Sequence, residues 1–293
     1  MLPVPTPSDI SFNCSDCRIR SVKHGYFRRK RDGVVIQRYR CSRCGYCFSD
    51  STLCPHDYRQ KKRDLNPTIF NLLCAGVSQR RIALILKINR KTVVNKFILL
   101  GYRALLLLPL LNSENPPVQT MEFDDLETFE HSKCKPLSVT LSVEHGSRRI
   151  LGFRVASMPA KGKLSQIALK KYGPRKDDRA ESRMSLFNEI KPLLAEGALI
   201  KSDQNPHYTN DVKKHFPGCT HQTSKGRRGC VVGQGELKRG GFDPLFSLNH
   251  TCAMLRANIN RLFRRTWCTT KLKERLAMHI ALYSLYHNEV LIK

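Results

Sequence analysis

The chain has 293 residues, of which 41% are hydrophobic, enough for one catalytic core with smaller modules beside it. Its formal net charge of +27 predicts a polyanion partner, DNA or RNA, because Lys and Arg bind phosphates with release of condensed counterions. The apolar run 98–111 contains Arg103 and Pro109 and is shorter than the ~18 residues of a membrane span. We therefore expect no membrane insertion and a cytoplasmic, nucleoid-associated protein.

Residues 1–12 have the composition of a disordered tail, and residues 13–60 predict a zinc ribbon. Two Cys-x-x-Cys pairs can supply four thiolates to one tetrahedral Zn²⁺. The alternative, a disulfide framework, is disfavoured because no signal-peptide pattern is visible at the N-terminus. Between the pairs lies a dense basic stretch that we expect to contact DNA, including Arg28 and Arg29. The predicted zinc ligands are Cys14, Cys17, Cys41 and Cys44.

Residues 61–104 predict an all-α helix-turn-helix module, because their apolar residues follow the period of three short helices. Gly76 marks the first turn, Ser78 can cap the second helix, and Asn89 precedes the third. In such a module the third helix lies in the major groove of DNA. The alternative is a three-helix bundle with solvated charges. The residues expected to face DNA are Arg90, Lys91, Thr92, Asn95 and Lys96.

Residues 105–120 predict a linker, since Pro116 and Pro117 end helical patterns, although the apolar stretch 99–111 also fits a buried helix or an oligomer contact. Beyond the linker, residues 121–293 predict an α/β domain with a mixed sheet. Strands are expected at 118–123, 137–143, 150–156, 199–202 and 219–222. Helices are expected at 179–196, 209–215, 246–264 and 271–287.

Two carboxylates, Asp124 and Asp203, follow predicted strands of this domain. Adjacent placement of the two strands would bring both to one edge of the sheet, as an RNase H-like site requires. Phosphodiester chemistry with two metal ions ~3.5–4 Å apart needs such carboxylates. Asp125 is the alternative to Asp124, because side chains alternate across a strand and one of the two faces the metals more easily.

Several motifs together resemble the DDE-type transposases of small bacterial insertion sequences. The carriers are the four cysteines with Tyr39-Arg40-Cys41, the helix-turn-helix pattern, Asp124-Asp125, Lys201-Ser202-Asp203 and the segments 249–256 and 261–267. The resemblance covers nearly the whole chain. It implies a multidomain protein with a zinc ribbon, a helix-turn-helix and an RNase H-like catalytic domain. It also implies binding to the terminal repeats of an element and to target DNA, as a homodimer or larger assembly.

The resemblance further implies a third catalytic position at Asn249, where most members of the family have Glu and some branches have Asn. Asp124, Asp203 and Asn249 would bind Mg²⁺ or Mn²⁺, although an amide carries no charge and holds a cation less firmly than a carboxylate. Arg256, two turns further along, would contact the scissile strand. Glu236 is the alternative third ligand, but it lies in a Gly-rich segment. The residues expected to line the DNA path are Arg261, Arg264 and Arg265.

Two functional hypotheses follow. The first is a transposase that cleaves DNA strands and transfers them to a target with metal ions. The second is a DNA-binding regulator without catalysis, or a decayed transposase in which Asn249 is the lesion. The aspartate pair favours the first, because two carboxylates within a basic surface would repel phosphates unless metal ions bind between them. An RNA nuclease is a weaker third option.

Overall fold

The computed structural model describes residues 14, 17, 19–28, 33, 35–49, 61–225, 243–263 and 267–292. Backbone contacts divide the chain into two compact units, Met1–Pro67 and Thr68–Lys293. The predictions made for the tail 1–12, Arg29, Glu236, Arg264 and Arg265 lie outside the described residues.

The first unit contains a small antiparallel sheet of three strands, β1 (Val22–Arg28), β2 (Val35–Arg40) and β3 (Cys47–Ser49), in that spatial order. Its apolar centre is small. Ile36, Tyr39 and Phe48 are buried, and the rings of Tyr39 and Phe48 stack with their centroids 5.7 Å apart. β2 leads directly into the second cysteine pair.

Three helices follow a short 3₁₀ turn at Arg63–Leu65: α1 (Asn66–Cys74), α2 (Gln79–Ile85) and α3 (Arg90–Ser113). Gly76 has a φ of +74°, a left-handed conformation that suits glycine in the turn between α1 and α2. The Ser78 hydroxyl accepts a hydrogen bond from the Arg81 N–H, 3.4 Å away, and the Asn89 side chain accepts one from the Lys91 N–H at 2.8 Å. The predicted starts of the second and third helices are therefore confirmed by their side-chain caps.

The predicted linker at 105–120 is corrected, because α3 continues to Ser113 and the next strand begins at Val118. The apolar residues of this stretch find a partner in α8 (Lys273–Tyr286), and Ala104 and Leu108 are buried there. A Cβ at Gly101 would lie 2.5 Å from the Cβ of Met278, so glycine permits the close approach of the two helices. Tertiary packing thus extends the helix through Pro109.

By length and composition α3 is the one helix among the described residues that has the character of a membrane span. Its packing against α8 gives a different reason for its apolar residues, and the core helix of a soluble domain meets the same criterion.

The second unit is built on a five-stranded mixed sheet, as the sequence predicts. The strands are β4 (Val118–Phe129), β5 (Pro136–Glu144), β6 (Ile150–Ser157), β7 (Leu194–Asp203) and β8 (Thr220–Ser224). Their order is β6-β5-β4-β7-β8, so β4 is central. β4 and β6 are antiparallel to β5, whereas β7 is parallel to both β4 and β8.

Helices cover the two faces of this sheet. Phe123 of β4 packs on the rings of Phe187 and Tyr208, with centroids 5.1 and 4.8 Å away, which fixes two helices on one face. Glu122 points to the opposite face, because side chains alternate along a strand. The remaining helices are α4 (Leu164–Tyr172), α5 (Arg179–Ile190), α6 (Pro206–His215) and α7 (Phe246–Asn258), with short 3₁₀ turns at Lys191–Leu193 and Asn260–Leu262 and a π turn at His287–Leu291.

Several element boundaries differ from the prediction. β4 runs to Phe129 rather than 123, because β5 continues to pair with it as far as Phe129 opposite Pro136. α5 ends at Ile190 rather than 196, and β7 starts directly after the 3₁₀ turn that follows. α7 ends at Asn258 rather than 264, where the extended backbone of Ile259 (φ −102°, ψ 104°) breaks the helix.

A buried histidine generates a prediction about acid stability. His279 of α8 is 1% exposed, its Nε2–H donates to the Leu73 carbonyl at 3.1 Å, and burial lowers its pKa to about 4, helped by the charge of Arg261. Its pKa in the unfolded chain is higher, so the unfolded state binds the proton first and stability falls as the pH drops below ~6.5.

We expect His279 to cost the fold about 2 kcal/mol between pH 7.5 and pH 5. Urea unfolding at the two pH values measures this loss. His279→Gln keeps a donor for Leu73 without a titrating group and should reduce the pH dependence, whereas His207→Gln, at an exposed position, should leave it unchanged. Equal pH dependence in all three proteins would contradict the assignment.

Candidate active site and cysteine metal cluster

The four predicted zinc ligands come together in the first unit. The sulfur atoms of Cys14, Cys17, Cys41 and Cys44 all lie within 4.8 Å of one another. One Zn²⁺ with Zn–S bonds of ~2.3 Å holds its sulfurs ~3.8 Å apart, so this spacing suits a single tetrahedral ion. Among the described residues, these cysteines are the one group of three or more Cys, His, Asp or Glu side chains that could hold a metal.

Backbone hydrogen bonds shape the cluster and make one thiol acidic. The Cys41 N–H donates to the Tyr46 carbonyl at 2.9 Å, and Gly45 takes a left-handed φ of +72°, which closes the second cysteine turn. Backbone N–H groups of Cys44 and Arg43 lower the pKa of Cys41 to about 7. A thiolate is therefore favoured near neutral pH at this position, as a metal ligand requires.

In the second unit, the pairing of β4 with β7 brings the two predicted carboxylates together. Met121 pairs with Ile200 and Glu122 with Lys201. The same register carried two residues further places Asp124 beside Asp203, the last residue of β7. The expectation that Asp124 ends its strand is wrong, because β4 continues along β5. Asp124 lies instead two residues beyond the last pair between β4 and β7, Glu122 with Lys201.

Burial and the neighbouring carboxylate both act on the ionisation of Asp124. Asp124 is half-buried, and burial raises its pKa to about 6, with the negative charge of Asp203 as the next cause. Two carboxylates that repel each other in a partly desolvated place form a site where a divalent cation removes an unfavourable interaction. Oxygen donors of this kind suit Mg²⁺ or Mn²⁺.

Neighbouring groups hold both carboxylates in fixed orientations. The Tyr208 hydroxyl donates to Asp124 Oδ1 at 3.0 Å, and the Asp125 N–H donates to the same oxygen at 2.6 Å. The Asn205 N–H donates to Asp203 Oδ1 at 3.0 Å, in the turn that leads to α6. No hydrogen bond from the described residues reaches the second oxygen, Oδ2, of either aspartate, which leaves these atoms for a ligand.

Asp125, the predicted alternative, has a different environment. Its Oδ1 accepts a hydrogen bond from Thr140, and its Oδ2 lies 3.4 Å from the guanidinium of Arg183. Arg183 is only 4% exposed and also pairs with Asp211 at 2.6 Å. Asp125 therefore neutralises the charge of a buried arginine on the face opposite to Asp124. Its carboxylate is engaged there, so it is not the metal ligand of this site.

Helix α7 carries the predicted third ligand and packs on β4 and β5. Asn249 is exposed in its first turn, and its Nδ2 donates to Asp243 Oδ2 at 2.9 Å. Cys252, one turn later, is buried; burial raises its pKa to about 12, and the charge of nearby Asp124 acts in the same direction. The half-buried Arg256 follows on the same side of the helix, seven residues after Asn249.

The predicted DNA-facing residues fall into two groups. Arg28 on β1 and the α3 residues Arg90, Lys91 and Asn95 are exposed, and Thr92 is half-buried. The prediction that Lys96 faces DNA is wrong, because Lys96 is only 2% exposed. It follows Val93 by three residues and precedes Phe97, so the helical period puts it on the buried stripe of α3.

The prediction that Arg261 lines the DNA path on the helix of Asn249 is also wrong. It lies in the 3₁₀ turn after α7, and its guanidinium sits 5.1 Å from the centroid of the Phe97 ring. Burial lowers its pKa to about 10, and the neighbouring charge of Arg275 contributes. The side chain therefore packs α7's end against α3.

The sequence interpretation missed four residues around the aspartates: Glu122, His145, Arg183 and Tyr208. Glu122 is fully buried, with 0% exposure. A period of two from Asp124 would have placed Glu122 on the same face of β4. Tyr208 and Arg183 lie on helices whose packing no local pattern reveals.

A scan of the sequence against models of known protein families finds no matching family, and a search of curated proteins finds no significant match.

Zinc content tests the cysteine cluster. We expect purified protein to contain about one zinc per chain and Cys17→Ser to lose it, because three thiolates leave the tetrahedral site open. Cys47→Ser is the matched control, since Cys47 is exposed and outside the cluster. Elemental analysis by plasma mass spectrometry measures the ratio, and full zinc content in Cys17→Ser would contradict the site.

Thermal unfolding tests the aspartate pair. Without metal, Asp203→Asn should raise Tm at pH 7.5, because the charge of Asp203 contributes to the raised pKa of Asp124. A carboxyl group with a raised pKa in the folded state loses stability as the pH rises from ~3.9 to ~6, and this loss is complete at pH 7.5. Mn²⁺ should stabilise the wild type, by about 2.7 kcal/mol at one hundred times its Kd, and should not stabilise Asp203→Asn.

Asp125→Asn is the control for this experiment. It should lower Tm by weakening the Arg183 pair yet keep the response to Mn²⁺. A Mn²⁺ response that survives Asp203→Asn, or disappears with Asp125→Asn, would place the cation elsewhere.

Proposed function

We propose that this protein is a DNA transposase that binds the ends of an insertion sequence, hydrolyses a phosphodiester bond there and transfers the freed strand to target DNA. The observation that carries the proposal is the register of the adjacent parallel strands β4 and β7, which continued two residues beyond the Glu122–Lys201 pair brings Asp124 beside Asp203. Burial, and then the charge of Asp203, raise the pKa of Asp124. This is the arrangement that an RNase H-like site requires, and it occurs in a chain with a net charge of +27.

The donor set fits Mg²⁺ or Mn²⁺ held by Asp124 and Asp203, with the Asn249 carbonyl oxygen completing the shell. When bound, such ions supply Lewis-acid activation of the attacking oxygen and neutralise charge on the leaving oxygen. In the first step water attacks phosphorus and the bond to the 3′ oxygen breaks, which gives a 3′-hydroxyl and a 5′-phosphate. In the second step that 3′-hydroxyl attacks a phosphodiester of the target. A new 3′–5′ bond forms, the bond from phosphorus to the target's own 3′ oxygen breaks, and the target strand is left with a free 3′-hydroxyl.

The protein's own groups orient this chemistry. The Tyr208 hydroxyl fixes Asp124 Oδ1, so its other oxygen keeps one direction. The Asn205 N–H does the same for Asp203. Arg256 follows Asn249 on α7, where a cation can bind the phosphate of the scissile strand.

The remaining modules would hold the DNA. α1 to α3 serve in this proposal as a helix-turn-helix, with the exposed Arg90, Lys91 and Asn95 at the start of α3 reading the major groove. The basic ribbon, with Arg28 exposed and zinc at its cysteines, adds phosphate contacts. Two element ends have to be brought together for transfer, so a homodimer or larger assembly is part of the proposal.

One observation favours the second candidate, a DNA-binding regulator or a decayed transposase. The Asn249 amide already pairs with Asp243, and among the described residues no third carboxylate joins Asp124 and Asp203 in a metal-binding group. A site with two carboxylates and one amide binds its second cation weakly. In this candidate the protein binds DNA ends and does not cleave them.

Cleavage of the DNA that borders the protein's own gene distinguishes the two candidates. Purified protein is incubated with that duplex, labelled at one end, with Mg²⁺, Mn²⁺ or chelator. We expect metal-dependent nicks and strand-joined products. Asp203→Ala should reduce the cleavage rate at least ~100-fold and keep end binding, because the metal site loses one of its two carboxylates.

Asp125→Asn should still cleave, since that carboxylate pairs with Arg183 rather than facing the site. Asn249→Glu should lower the Mg²⁺ concentration needed, because it adds a charged ligand. Binding without cleavage under every metal would reject the transposase in its present form. Cleavage that appears only in Asn249→Glu would identify a decayed enzyme.

A further inference from the structure

A buried carboxylate lies next to the candidate site without being one of its ligands. Glu122 of β4 has 0% exposure and accepts two hydrogen bonds, one from the His145 ring at Nδ1 and one from the Leu248 N–H at 2.8 Å. The Leu248 amide belongs to the first turn of α7, whose N–H groups have no partner within the helix. A carboxylate there also interacts favourably with the helix dipole.

The other side of the His145 ring faces β7. The Lys201 ammonium lies 3.5 Å from His145 Nε2. Since ammonium donates and carboxylate accepts, the ring carries its proton on Nδ1 towards Glu122 and accepts at Nε2 from Lys201. Lys201 is also the partner of Glu122 across the parallel strands.

The turn between β5 and β6, which carries His145, makes further contacts to the same end of α7. The Gly146 N–H donates to the Ser247 hydroxyl at 2.9 Å, and the Arg148 guanidinium lies 3.2 Å from His250 Nδ1. The turn therefore contacts the start of α7 at two points, and Glu122 of β4 adds a third, buried contact.

These contacts meet immediately before each candidate ligand. Glu122 precedes Asp124 by two residues and, by the alternation of a strand, points to the same face. Lys201 precedes Asp203 by two residues, and Leu248 precedes Asn249 by one. β4, β7 and α7, which are far apart in sequence, therefore meet at one point. Each contact lies within two residues of a candidate ligand.

We propose that Glu122, His145 and Lys201 form a positioning clamp that sets α7, and with it Asn249, against the two aspartates. The inference rests on the proposed function for its purpose, although the clamp itself is a feature of the fold. Glu122 is a positioning residue and does not touch the reacting atoms. A hydrophobic residue would fill the same volume but would leave the Leu248 N–H and the His145 ring without their acceptor.

The experiment compares three variants for Mn²⁺ affinity and for hydrogen–deuterium exchange. Glu122→Gln keeps the shape and removes the charge. His145→Ala removes the donor at a half-exposed turn, where folding is less at risk because the side chain is 37% exposed. Glu144→Gln is the matched control, since Glu144 is the neighbour of His145 and pairs with Arg149 and Ser147 instead of α7.

We expect Glu122→Gln and His145→Ala to weaken Mn²⁺ binding by about 10- to 100-fold, the usual effect of losing a group that orients metal ligands. Electron paramagnetic resonance of free Mn²⁺ measures the affinity, with Asp203→Asn as the background. Amide exchange in the first turn of α7 should become faster in both variants and not in Glu144→Gln. His145→Gln, which keeps an amide donor, should recover part of the affinity.

The outcomes separate the clamp from the proposed activity. The clamp is overturned as a positioning device if Glu122→Gln and His145→Ala bind Mn²⁺ with wild-type affinity, even if exchange in α7 increases. It is also overturned if no Mn²⁺ binding depends on Asp203. Weaker Mn²⁺ binding with faster exchange supports it. A wild-type protein that binds Mn²⁺ but cleaves no DNA contradicts the transposase, and the affinity and exchange measurements still decide the clamp.

Discussion

The parallel pairing of β4 with β7 is the constraint on which the candidate site depends. It aligns Met121 with Ile200 and Glu122 with Lys201, and this register alone brings Asp124 to Asp203. A parallel pair needs a crossover connection, and here β5, β6, α4 and α5 lie between the two strands in the chain. The hydrophobic core beneath α5 and α6 therefore stabilises the register, and the site depends on residues that never approach a ligand.

Buried charges on opposite faces of β4 give neighbouring carboxylates different roles. On one face Arg183 neutralises Asp125, and on the other Glu122 holds the start of α7. Asp124 lies on the same face as Glu122 and retains an unfavourable interaction with Asp203. A cation bound by Asp124 and Asp203 would relieve this repulsion. Removing one partner of a buried ion pair costs several kcal/mol, typically about 3–5. Substitutions at either contact should therefore destabilise the fold.

Local sequence patterns predicted what depends on local chemistry. The spacing of Cys14 and its partners sufficed for the cysteine cluster, and a capping residue such as Ser78 sufficed for a helix start. Side-chain direction was less predictable. Lys96 is expected to face DNA and is buried, because the tertiary fold decides which side of α3 packs inward. Glu122 was missed because its partner at Leu248 is brought to it only by the tertiary fold. The linker and the extent of β4 were misjudged for the same reason.

The central claim is that Asp124 and Asp203 share a divalent cation at the edge of the sheet. Anomalous diffraction from crystals soaked in Mn²⁺ tests it most directly, since the metal is located without reliance on activity. We expect an anomalous peak at coordination distance, about 2.1 Å, from a carboxylate oxygen of each aspartate, with the Asn249 side chain turned from Asp243 towards it. A peak at Asp125 or Glu122, or none at saturating Mn²⁺, would contradict the account.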